Sequence, residues 1–242
     1  EKAIAAACLT LLAAGAGIGP AWAGAVTDGS VGAVQTLSGA MTLPQTLGTL
    51  RGANLFHSFA RFGIAVGESA TFTTVDPGIQ HVIARVTGGE GSVLQGPLAL
   101  LAAGGARPDF WLLNPAGILV GAGASFDLPA GLHLSTAPQL RFADGTTWAT
   151  GSPTPSTLSI AAPESFGFLG TQAPAALRWQ DANLALPAGG TLELVAGDMI
   201  IERSLLVTTD ARLRVDATAL TLGGITPLSS GFLTQTSGAG NC

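Results

Sequence analysis

The chain has 242 residues, of which 47% are hydrophobic and 10% charged, with 34 glycines, no tyrosine and a formal net charge of −5. So little charge beside so much apolar content excludes intrinsic disorder, and glycine at about twice its average share argues against a helical bundle. No glycine period of three marks a collagen, and the acidic balance leaves no basic footprint for nucleic acid, so a folded, β-rich protein remains.

The chain opens on Glu1 rather than Met and reads as cut from a longer frame. Residues 3–19 are almost wholly Ala, Leu, Ile and Gly; Lys2, the single lysine, precedes them, and Ala21-Trp22-Ala23 follows. A basic residue, an apolar run and an A-x-A site form the pattern of a secretory signal, so residues 1–23 are expected to be a signal peptide. A transmembrane helix is the rival reading, but Gly15, Gly17, Gly19 and Pro20 interrupt the run. Cys8 lies in this segment and Cys242 stands alone at the other end, so no disulfide framework or zinc site is expected.

From Gly24 onward no stretch keeps a helical apolar period. Short apolar runs bounded by Gly, Asn, Asp and Pro predict strands at 70–73, 81–86, 110–113, 118–120, 125–128 and 132–136, then at 192–195, 199–202 and 213–216. Such runs suit an antiparallel sandwich or a parallel β-helix of stacked coils. Asn-Gly is absent and Asp-Gly occurs only at Asp28-Gly29 and Asp144-Gly145, too few hairpin signals for a sandwich of this size. Stacked coils are therefore preferred. Gly151–Ser156 reads as a loop, an excursion from the coil rather than a domain boundary, and 226–242 as a flexible tail or a continuation of the coil.

Two blocks carry a family likeness. The first is Asn54-Leu55-Phe56-His57-Ser58-Phe59-Ala60-Arg61-Phe62, followed by Gly67-Glu68-Ser69-Ala70-Thr71-Phe72. The second runs through Ala84-Arg85-Val86-Thr87-Gly88-Gly89, Phe110 to Ile118 and Gly121 to Asp127, ending at Ser135-Thr136-Ala137. In that order they resemble the N-terminal secretion domain of filamentous haemagglutinin-like exoproteins, the passengers of two-partner secretion, over residues 24–225. The family hallmark Asn-Pro-Asn-Gly-Ile stands here as Asn114-Pro115-Ala116-Gly117-Ile118, and its Asn-Pro-Asn-Leu motif has no match. The resemblance implies a right-handed parallel β-helix with an N-terminal β cap and short antiparallel excursions. It also implies recognition by the periplasmic domains of an outer-membrane barrel transporter. Asn114, Pro115, Gly117 and Ile118 become the candidate recognition motif, and Asn54, Phe56, His57, Phe59 and Phe62 the candidate cap motif.

Residue chemistry gives each motif a plainer role as well. Pro115 presets a turn and Gly117 supplies positive φ, so Asn114 to Gly117 is a corner between two strands. His57 lies among phenylalanines and reads as packed. His81 and His133 read as isolated in strands, and separations of 24 and 52 residues offer no metal-ligand spacing. Alternation puts Arg212, Arg214 and Asp216 outward, with Leu213 and Val215 inward. The expected function is a non-enzymatic secretion-targeting and fold-nucleating domain of a larger adhesin, secreted or surface-bound, with no cofactor. Host or bacterial surface glycans are further candidate partners. The alternative is a carbohydrate-active β-helix enzyme, but Asp127, Asp144, Asp198, Asp210 and Asp216 show no acid–base pairing.

Overall fold

The computed structural model describes residues 23–151, 158–168, 175–208, 212–223, 226–228 and 233–236. The expected signal segment up to Trp22, residues 152–157 of the loop region, Asp210 and Cys242 lie outside these residues. Among the described residues the regular elements are strands, apart from two 3-10 turns at Gln45–Leu47 and Ala103–Gly105.

Three parallel ladders build the body. The first runs through Asn54–Gly63, His81–Val86, Asp109–Leu113, Leu132–Ser135, Thr191–Glu202, Arg212–Gly223 and Leu233–Thr236. The second joins Ser92–Leu94, Ile118–Val120 and Leu177–Gln180 to the later halves of Thr191–Glu202 and Arg212–Gly223. The third stacks Ala40–Pro44, Ser69–Thr73, Pro97–Leu101 and Ser125–Asp127, and a further set pairs Asn183–Leu186, Leu205–Thr208 and Thr226–Leu228. The chain thus visits the three ladders in turn, once per coil, as in a β-helix. All nine runs expected to be strands lie within strands here, to within a residue at their ends.

Alternation along each strand explains the stacking. On the first ladder one inward column is Leu55, Val82, Phe110, Leu132, Leu192 and Leu213, and the next is His57, Ala84, Leu112, Leu134, Leu194 and Val215. Like residues above like bury apolar area coil after coil, about 25 cal/mol per Å². A two-residue slip between coils keeps the columns inward but mismatches their sizes, so side-chain volume pins the register. Corners are tied by side chains that bridge coils. Glu68 accepts from the Gly39 and Ala65 amides at 2.9 and 3.0 Å, and Gln45 Oε1 accepts from Val75 and Asp76 at 2.9 and 3.1 Å.

Two antiparallel additions complete the fold. Gly24–Thr27 pairs antiparallel with Asn54–Gly63 and carries Thr36–Leu37 on its other side, while Thr49–Arg51 folds back on Asn54 to Phe56. These strands cover the N-terminal edge of the first ladder, which bare would invite pairing with another chain. Later, Gln139–Phe142, Thr147–Ala149 and Pro163–Gly167 form a three-stranded antiparallel excursion between Leu132–Ser135 and Leu177–Gln180. Its Leu140, Phe142 and Trp148 pack with Phe56, Ile83, Trp111 and Leu113, the outward residues of the first ladder. Each Asp-Gly pair lies between two antiparallel strands: Asp28-Gly29 after Gly24–Thr27, and Asp144-Gly145 after Gln139–Phe142, with glycine φ of 80 and 82°.

Candidate functional site

The Asn114 corner turns the chain from Asp109–Leu113 into Ile118–Val120. The Gly117 amide donates to the Asn114 carbonyl at 3.0 Å and the Ala116 amide to Asn114 Oδ1 at 3.0 Å, a β-turn inside an Asx turn. Gly117 takes φ 113°, open to glycine but strained for any other residue. Asn114 is 1% exposed, and its amide donates to the Glu90 carbonyl and to Ser92 Oγ, both at 2.9 Å, tying this corner to the preceding coil. Gly117 and Ile118 are buried too. Pro115 and Ala116 are half-buried and form the accessible part of the motif.

The Asn54–Gly63 strand divides its residues between two cores. Asn54 is buried and donates to the Ser159 and Ala161 carbonyls at 3.0 and 2.7 Å, pinning the excursion to the coil. Phe56 points outward against Phe142 and Trp148, with centroids 5.8 and 5.0 Å apart. His57, Phe59 and Phe62 point inward around Phe72. His57 is fully buried, neither ring nitrogen has a partner, and burial alone pushes its pKa down to about 4. The candidate cap residues therefore belong to the first coil, and the cap strands lie beside them.

A second polar cluster joins cap, coil and excursion. Arg85 is fully buried. It donates to Ser58 Oγ at 2.8 Å, to Ser30 Oγ at 3.1 Å and to the Ala149 carbonyl, and its guanidinium sits 4.3 Å from the Trp148 ring centre. Burial lowers its pKa, while the Asp28 charge opposes that shift. Asp28 accepts from Ser30, Ser58 and Thr87. Burial pushes Asp28 up, but these hydrogen bonds outweigh it and leave the carboxyl below its ordinary value.

His81 and His133 are not isolated, which corrects the expectation from sequence. His81 Nδ1 lies 2.6 Å from Asp109 Oδ1, and His133 Nε2 lies 3.4 Å from Asp109 Oδ2. His133 Nδ1 is 2.8 Å from Glu193 Oε2, and Arg214 Nη1 is 2.9 Å from Glu193 Oε1. Burial raises the Asp109 pKa, but the close contacts and charge of His133 and His81 override it and hold it down to about 2. Arg214 and Asp216 stand outward and Leu213 and Val215 inward, as alternation predicted, with a 3.7 Å ion pair between Arg214 and Asp216. A cleft of about 240 Å³ beside this network is lined by Phe166, Phe168, Glu193, Arg214 and Asp216, among others. Among the described residues no group of three or more His, Cys, Asp and Glu is arranged to hold a metal.

Asp109 and Glu193 were missed because no fixed repeat length announces which residues share a column. Asp109 follows His81 by 28 residues, whereas Glu193 follows His133 by 60. Curated proteins give no match to this chain. The family model of the TPS secretion domain, however, matches residues 23–237. That span takes in the cap strands, the Asn114 corner and the three parallel ladders, and the chain belongs to the TPS secretion domain family, the secretion-targeting domains of two-partner secretion exoproteins.

Proposed function

We propose that this chain is the secretion-targeting and fold-nucleating N-terminal domain of a larger adhesin or haemagglutinin-like exoprotein. It is exported to the periplasm by the signal peptide at 1–23, then recognised by the periplasmic domains of an outer-membrane barrel transporter. The domain proper spans 24–225, and Thr226–Leu228 and Leu233–Thr236 extend its ladders beyond that boundary. The observation that carries this reading is the family match over 23–237 on a body of parallel coils. The coils are right-handed in this reading, in keeping with the strong preference of parallel crossover connections. Folding on the cell surface proceeds coil by coil, because every finished rung offers the next strand a row of backbone donors and acceptors.

Transporter recognition is assigned to the Asn114–Ile118 corner, where Pro115 and Ala116 are accessible and Asn114 and Gly117 set the shape. No enzymatic step is assigned to the domain. The test is export of the full chain by cells with and without the cognate barrel. Export that needs the barrel, and that falls on Ala116→Arg while the purified variant still folds, supports the reading. Equal release by cells lacking the barrel overturns it.

A further inference from the structure

His133 lies outside both candidate motifs, the Asn114–Ile118 corner and the Asn54–Phe62 block. It points outward from Leu132–Ser135, and its ring lies parallel to Trp111 at 3.7 Å between centroids with 1° between planes. On one side is Asp109 of the preceding coil, 3.4 Å from Nε2; on the other is Glu193 of the following coil, 2.8 Å from Nδ1. The Nδ1 contact is a hydrogen bond, while Nε2 faces Asp109 at ion-pair distance without hydrogen-bond alignment. All three side chains are largely shielded, with exposures of 8, 19 and 8% for His133, Asp109 and Glu193.

Neutral imidazole carries one N–H. Whichever tautomer forms, one of the two carboxylates then faces a ring lone pair. Imidazolium carries two N–H groups: Nδ1–H donates to Glu193, and the positive Nε2 side meets Asp109 as an ion pair. The other charged groups around it do not supply that second positive contact: His81 pairs with the far oxygen of Asp109, Arg214 with the far oxygen of Glu193, and Arg107 is turned to the Pro129 and Ala188 carbonyls. On the excursion side the neighbour packed on Trp111 is the apolar Phe166.

The place of this contact in the chain gives it consequence. His133 and Glu193 are 60 residues apart, and the antiparallel excursion lies between them. Here the coil must resume in register after the longest interruption in the first ladder. We propose that His133 is an acid-set clamp on this joint: protonated, it ties the coil before the excursion to the coil after it, and on losing its proton it leaves that joint the first part of the ladder to loosen. Burial lowers the His133 pKa, but the close contacts and negative charges of Asp109 and Glu193 override it and the net direction is upward. A raised folded-state pKa means that the clamp is fully set below the ordinary histidine value of about 6.5 and is released as pH rises through the folded value.

The experiment is an NMR titration of the three histidine ring protons in the full chain, together with amide exchange corrected for intrinsic rates. His133 is expected to titrate above the ordinary value, and Glu193→Gln to lower its midpoint by about one pH unit. Amides of 132–135 and 191–196 are expected to lose about tenfold in protection from pH 6 to pH 8 in the unsubstituted chain, and to show no such change in His133→Gln. If Glu193→Gln does not fold, Asp109→Asn tests the other carboxylate in the same way. A His133 midpoint at or below the ordinary value, or protection at this joint that does not depend on pH, overturns the proposal.

Discussion

Lowering the pH should loosen the first coil through His57. The ring heads an inward column whose other members are Ala84, Leu112, Leu134, Leu194 and Val215, and the Gly48 backbone and Phe72 close over it. No hydrogen bond or charge compensates its burial, so its pKa falls from 6.5 to about 4. The unfolded chain therefore takes up a proton that the folded chain refuses, and stability is lost as pH falls from about 6.5 to about 4. Linkage between those two values gives a loss of about 2 kcal/mol on going from pH 7 to pH 5, and about 3 kcal/mol in full below pH 4. His57→Leu keeps the column aliphatic and removes this slope; at pH 7 it also removes two unpartnered nitrogens, a gain of about 1 kcal/mol. The assay is urea unfolding of both chains at pH 7 and pH 5. Because His133 acts in the opposite sense, the quantity to read is the difference between the two chains, about 1 M in midpoint for a slope of about 2 kcal/mol per M. Equal pH slopes for the two chains, or a His57 ring titrating near 6.5, would refute the reasoning.

Arg85→Met should destabilise by about 3 kcal/mol, since it removes a buried charge that holds Ser30, Ser58 and the Ala149 carbonyl; denaturant unfolding reads the loss, with cap and excursion amides exchanging first. Asn114→Ala should cost about 2 kcal/mol by leaving the Glu90 carbonyl and Ser92 without their partner, visible as a lower unfolding midpoint at unchanged slope. Gly117→Ala should cost about 1–2 kcal/mol, because φ 113° is strained for alanine and the new methyl would stand 3.3 Å from the Ala176 carbonyl oxygen. Gly88→Ala should cost more, about 3 kcal/mol, since its methyl would overlap the Ala60 carbonyl oxygen, a backbone atom of the neighbouring coil; insoluble or unfolded protein at pH 7 is the strong form of that result.

The coil body was readable because its signal is local. Val82-Ile83-Ala84-Arg85-Val86 and Phe110-Trp111-Leu112-Leu113 are strand-length runs bounded by turn residues, and each Asp-Gly pair marked an antiparallel connection. What stayed hidden depends on register. Gln139–Phe142 and Thr147–Ala149 are short and amphipathic, with only Leu140, Phe142 and Trp148 buried, so nothing in their own composition separates them from a loop. The Arg85 cluster draws on Ser30, Ser58 and Ala149, far apart in sequence, and the His133 network draws on coils of unequal length. Both become visible only once pairing is known.

One outward column shows why register matters more than composition in this fold. Phe56, Ile83, Trp111, His133, Glu193 and Arg214 are successive partners along the first ladder. The first three are buried beneath the excursion and are apolar; the fourth is the hinge between the zones, stacked on Trp111 and paired with Glu193; the last two carry opposite charges. The column changes character where excursion cover gives way to the cleft beside Glu193 and Arg214. A residue's chemistry here follows its height along the coil axis as well as the in–out alternation of its strand, and His133 marks the height at which an apolar seam becomes a charged one. A single exchange tests that dependence: His133→Phe extends the apolar seam by one coil and should strand Glu193 with Arg214 alone. Arg214→Ala added to His133→Phe should then cost about 1 kcal/mol more than Arg214→Ala costs in the unsubstituted chain, because Glu193 would lose its last cationic partner. Strict additivity of the two substitutions in denaturant unfolding would show that the column is a set of independent pairs.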